Sequence, residues 1–202
     1  MNQLSRRDAL QLMAGIPLLA AGLSPKTITR AVESARAAQA AATAGQAFTP
    51  VFFTAHELDT VNLLVNYIIP RDDRSGSATD AAVPEFMDFI LNDQQGMQTP
   101  TRGGLAWLDT ECRERFGQTF VLASDRDRRQ LLDLIAYPAK APKELSQGVS
   151  FFNDFRDLTA SGFFSSKMGV EDLQYLGNVF VHEWEGCPPA ALAKLGVKYD
   201  QG

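Results

Sequence analysis

The sequence predicts an all-α protein, a single compact multi-helix domain, and three observations lead there. Apolar residues recur at helical spacing, as in Leu58, Val61, Leu64, Val65, Ile68 and Ile69, which gathers them on one face of a repeat of about 3.6 residues. The stretches that carry this pattern open on capping side chains and close on proline or glycine. No run alternates apolar and polar residues over the length of a strand, and no hairpin signature joins two such runs.

Ahead of the domain, Ser5-Arg6-Arg7-Asp8-Ala9-Leu10 is followed by an apolar run from Met13 to Leu23. Arg6 and Arg7 before such a run read as a twin-arginine export signal, an address for proteins that travel already folded. Gly15, Pro17 and Gly22 interrupt the run, and it is shorter than the roughly 20 residues a membrane-spanning helix needs. Residues 24–47, rich in Ala, Thr, Ser and Gln with no sustained apolar face, read as the signal's tail and a linker. The predicted organisation is therefore a signal and Ala-rich linker over 1–47 and a helical domain over 48–202. Small-x-small sites for the cut occur at Ala35-Arg36-Ala37, Ala38-Gln39-Ala40 and Ala42-Thr43-Ala44. Cutting after Ala40 would remove Arg6, Arg7, Lys26, Arg30 and Arg36 with Asp8 and Glu33, taking the formal charge from −5 to −8. So acidic a surface repels phosphate backbones and anionic lipid heads, which argues against nucleic-acid binding.

The first helix of the domain starts at Thr54-Ala55-His56-Glu57. This is a capping box, with a hydroxyl at the N-cap and a carboxylate three residues on that reaches back to the N-cap amide. Phe53 and Leu58 stand at the two positions of a hydrophobic staple, and Pro70 ends the helix. Arg71 to Ser77 is a polar loop without periodicity. Val83-Pro84-Glu85 restarts a helix with proline in its first turn, where a missing N–H costs nothing, and Phe86, Phe89 and Ile90 supply its inner face. A further helix is predicted from Gly104 through Arg115, with Leu105, Leu108 and Cys112 inward. Ser124-Asp125-Arg126-Asp127 opens another, with Leu131, Leu134 and Ile135 inside and Tyr137-Pro138 as its stop. Val149, Phe152, Phe155 and Leu158 mark the last, with Gly162 as its C-cap.

Chemistry-bearing motifs are sparse. A dinucleotide site needs Gly-x-Gly-x-x-Gly after a strand, and the one adjacent glycine pair, Gly103-Gly104, follows no strand pattern. Covalent haem needs Cys-x-x-Cys-His, whereas Cys112 and Cys187 lie far apart. Two thiolates cannot hold an iron–sulfur cluster unaided. His182-Glu183 opens like His-Glu-x-x-His, but position 186 is glycine, so the second zinc ligand is missing. His182 beside Trp184 reads as a packed histidine, and His56 as a solvated residue in a first helical turn. Asp72 and Asp73 could bind a divalent cation through oxygen, or simply face water in their loop. No catalytic, cofactor-binding or metal-binding residue is assigned. In an oxidising compartment Cys112 and Cys187 could pair, and closing so long a loop would contribute about 4 kcal/mol on the chain-entropy model. A buried free thiol at Cys112 is the other reading, and both stand.

Several stretches together resemble the gluconate 2-dehydrogenase subunit 3 family. They are Leu58 to Asp73, with Tyr67-Ile68-Ile69-Pro70-Arg71-Asp72-Asp73; Ala82-Val83-Pro84-Glu85-Phe86-Met87-Asp88; and Gly103-Gly104-Leu105-Ala106-Trp107-Leu108-Asp109. Phe151 to Thr159, then Gly162-Phe163-Phe164-Ser165-Ser166, and Tyr175-Leu176-Gly177-Asn178 leading to Trp184-Glu185-Gly186-Cys187-Pro188 complete the set. The likeness spans roughly residues 52 to 197. It implies a small helical subunit whose partner is a glucose–methanol–choline type flavoprotein that holds FAD and oxidises a sugar or sugar acid. A cytochrome c or another acceptor takes the electrons. The small subunit would stabilise the FAD-loaded partner and supply the export address for both, which places the complex in the periplasm. Such a role asks for a contact surface rich in aromatic side chains and arginine. The expected contacts are Phe163 and Phe164, Trp184 with the turn through Pro188, and Arg71 with Asp72. A stand-alone binding or adaptor module and a self-sufficient periplasmic enzyme using His182 or Asp72 are the competing readings.

Overall fold

The computed structural model describes residues 23–174 and 186–199. Arg6 and Arg7, and His182 and Trp184 near the other end, lie outside the described residues. Within them the secondary structure is helical: α1 (Pro25–Thr43), α2 (Ala55–Ile68), α3 (Val83–Asp93), α4 (Gln95–Phe116), α5 (Asp125–Ile135), α6 (Ser146–Ser165), α7 (Lys167–Asp172) and α8 (Pro189–Leu195). A 3₁₀ turn over Lys143–Leu145 leads into α6. No strand occurs among the described residues, and the all-α expectation holds.

The elements with strong local signals form where they were expected. Thr54 Oγ1 accepts from the Glu57 amide and the Glu57 carboxylate accepts from the Thr54 amide, so both halves of the capping box are made at the start of α2. Ser124 accepts from the Asp127 amide and opens α5. Pro84 sits in the first turn of α3.

Three predicted boundaries differ. Residues read as a linker form α1, whose Ala31 and Ala35 are buried. Alanine registers weakly as apolar, yet its small side chain lets the α1 backbone lie close to α3, its principal neighbour. α4 begins at Gln95, well before Gly104, and carries Pro100 within it. α6 runs on through Gly162 to Ser165, so Gly162 is an interior residue and not a cap. A Cβ there would meet the Phe86 ring at 2.9 Å, so this glycine marks close packing of α6 on α3.

α6 is the central helix, touching α1 through α5 as well as α7. It contributes Phe151, Phe152, Phe155, Leu158 and Phe163 to the core, against Val61, Leu64 and Val65 of α2 and Phe86, Met87 and Ile90 of α3. Each such side chain contributes roughly 1.5–3 kcal/mol by leaving water, so this shared core dominates the stability.

Candidate partner surface

The loop after α2 carries Arg71 and Asp72, both exposed. The sequence alone shows a solvated stretch; the structure shows a braced one. Asp72 Oδ1 accepts from the amides of Arg74 (2.9 Å) and Ser75 (3.0 Å), which folds the loop on its own carboxylate. Asp80 Oδ2 accepts from both the amide and the hydroxyl of Ser77 and pairs with Arg71 Nη2 at 2.8 Å. Burial works to raise the Asp80 carboxyl, but the Ser77 hydrogen bonds and the Arg71 guanidinium outweigh it and hold it below the usual carboxylate range. Arg74 reaches across to α7, donating to the Asp172 carbonyl at 2.7 Å with its Nε 3.5 Å from the carboxylate. Among the described residues no group of three or more His, Cys, Asp or Glu could hold a metal ion.

Phe163 and Phe164 belong to the same neighbourhood, because α7 follows them directly. Phe163 itself is fully buried, at 0 % exposure, so it cannot serve as a contact in this folded form. The expectation failed because it rested on Gly162 as a cap. With α6 continuing, Phe163 falls on the inward face, in edge-to-face contact with the half-buried Phe164 at 5.2 Å. A cleft of about 240 Å³ opens at the end of α6, lined by Asp80, Gly162, Ser166, Lys167, Met168 and Glu171 together with Arg36 and Gln39 of α1. The structure thus gathers the Arg71–Asp80 loop, the end of α6 and α7 into one region. Pro188 is exposed at the start of α8.

Cys112 and Cys187 are both free, Cys112 buried on the inner face of α4 and Cys187 exposed. The bridge is not formed. Burial, and then the charge of Asp109, push the Cys112 thiol up to about 11, which makes it a poor nucleophile.

Two buried carboxylates went unnoticed in the sequence. His56, read as solvated, places Nε2 2.6 Å from Asp109 Oδ2, although half of its side chain remains exposed. Asp109 Oδ1 accepts the Phe120 amide at 2.9 Å, so this carboxylate ties α2, α4 and the following loop together. Asp88 of α3 accepts the amides of Val51, Phe52 and Phe53 at 2.8–2.9 Å. The clue was register: Asp88 stands one turn from Pro84 and Leu91, and Asp109 one turn from Leu105 and Cys112, so each carboxylate falls on an apolar helix face. A buried carboxylate requires hydrogen-bond donors. Both arrangements join segments of the fold.

No helix among the described residues is long and apolar enough to cross a membrane. No curated protein and no solved structure matches the chain. The family model described as gluconate 2-dehydrogenase subunit 3 matches residues 55–184, and the chain belongs to that family.

Proposed function

We propose that this chain is the non-catalytic small subunit of a periplasmic, FAD-dependent sugar or sugar-acid dehydrogenase complex. It stabilises a glucose–methanol–choline type flavoprotein and supplies the twin-arginine signal for both chains. Family membership across 55–184 is the observation that carries the reading. Arg6 and Arg7 ahead of an apolar run support the export role. The FAD belongs to the partner, and a cytochrome c or another acceptor takes the electrons.

The surface supports a docking role physically. Arg71 and Asp72 project from a loop held at both ends by the Arg71–Asp80 and Arg74–Asp172 contacts. A pre-ordered loop loses less entropy on binding than a floppy one. The exposed arginines are the kind of side chain interfaces favour, and Asp80, the ion-pair partner of Arg71, lines a concave cleft.

Producing the flavoprotein with and without this chain tests the proposal. With it, FAD-dependent activity should appear in the periplasm; without it, that activity should fall at least about tenfold. Equal periplasmic activity in the two strains would refute the stabilising and exporting role. Arg6→Lys combined with Arg7→Lys should leave the flavoprotein in the cytoplasm, and continued export would refute the shared address.

A further inference from the structure

α1 has the construction of a permanent helix. Ser24 Oγ accepts from the Thr27 amide at 3.2 Å and Pro25 occupies the first turn, a combination that starts helices. Leu23, Ala31 and Ala35 are buried, and Ile28 and Val32 pack partly against the same core. The Arg30 guanidinium lies 5.5 Å from the centre of the Phe89 ring of α3. Near the other end, Gln39 Nε2 donates to the Asp80 carbonyl at 2.7 Å. The helix is held at its start, middle and end.

All three small-x-small sites predicted for signal removal fall on this element. Ala35-Arg36-Ala37 and Ala38-Gln39-Ala40 lie inside α1, and Ala42-Thr43-Ala44 lies at its last turn, where the Ala44 amide donates to the Ala40 and Ala41 carbonyls. A peptidase binds its substrate extended, so backbone already hydrogen-bonded in a docked helix is a poor target. A protein exported folded presents α1 to the peptidase in this state.

We infer that α1 is retained in the exported protein and that the signal is cut away before Ser24. The inference rests on the export reading above. Ala20-Ala21-Gly22 supplies the small-x-small pattern at that place. Retention keeps Ala35, Arg36 and Gln39 as one wall of the cleft beside Asp80 and α7. It also keeps Lys26, Arg30 and Arg36 on a surface that would otherwise lose them.

Intact mass and N-terminal sequencing of the native chain from the periplasmic fraction test this directly. The expected product begins at Leu23. A product beginning at Ala38, Ala41 or Gly45 would overturn the inference while leaving export intact. An exported chain with no cut would overturn it too. Full-length chain confined to the cytoplasm would instead sink the export reading, and the inference with it.

Discussion

Phe151 of α6 occupies the space where Gly104 of α4 would carry a side chain. A Cβ on Gly104 would fall 1.9 Å from the Phe151 ring. The relationship is reciprocal: a Cβ on Gly148 of α6 would fall 2.2 Å from the Trp107 ring of α4. Each helix thus gives one glycine and one aromatic to the other, a close approach that no larger residue permits.

Gly104→Ala tests this lock. In a free helix the change gains about 1 kcal/mol of propensity. Here overpacking, typically about 1–3 kcal/mol and greater for so short an approach, should win. The variant should unfold at lower urea by about 2 kcal/mol, and Phe151→Leu in the same chain should recover part of the loss. A Gly104→Ala variant as stable as the native protein would disprove the packing argument.

Asp88 is 3 % exposed and receives three backbone amides from the segment before α2. Asp88→Ala should strand those donors, at about 1–3 kcal/mol for each that finds no water. We expect a loss of at least about 3 kcal/mol in chemical denaturation and a smaller one for Asp88→Asn, which keeps an acceptor. Equal losses for the two substitutions would show that acceptor count is irrelevant.

The cysteines differ in reach. A thiol reagent at mildly alkaline pH should modify Cys187 rapidly in the folded protein and leave Cys112 unmodified, since Cys112 is buried with its thiol pushed up to about 11. Denaturant should release the second thiol. Two fast thiols in the native state would contradict the burial, and none after denaturation would reveal a bridge between Cys112 and Cys187.

Glu85, in the first turn of α3, has a buried Oε2 without a hydrogen-bond partner among the described residues. Burial, and then the charge of Asp88, raise its carboxyl above the usual range. The folded protein therefore holds this proton more tightly than the unfolded chain does. Its contribution to stability is full below the unfolded value and is lost as pH rises through the folded one. Glu85→Gln should raise Tm at about pH 7 and leave it unchanged at about pH 3.5. The same Tm change at both pH values would rule out titration of Glu85 as its cause.

The starts of α2, α3 and α5 were legible because their determinants lie within a few residues: Thr54 with Glu57, Pro84 in a first turn, Ser124 with Asp127. Family-like blocks were legible for the same reason, as runs of neighbours in order. Residues 24–47 were misread because an alanine face such as Ala31 and Ala35 identifies itself only when another helix lies against it. Phe163 was misplaced because one glycine serves equally as a cap or as a packing notch, and here Phe86 decides which. His56 and Asp109, or Asp88 and Phe53, are far apart in the chain, and their pairing appears only in the folded arrangement.

By itself, then, the sequence determined the helical class, the N-caps at Thr54 and Ser124, and the family. Those depend on side chains a turn or less apart. Tertiary structure alone decided which faces are covered, which carboxylates are held and where Arg74 meets α7. Burial and hydrogen bonding between distant segments depend on helix packing, and a local pattern carries no information about its neighbour across the core.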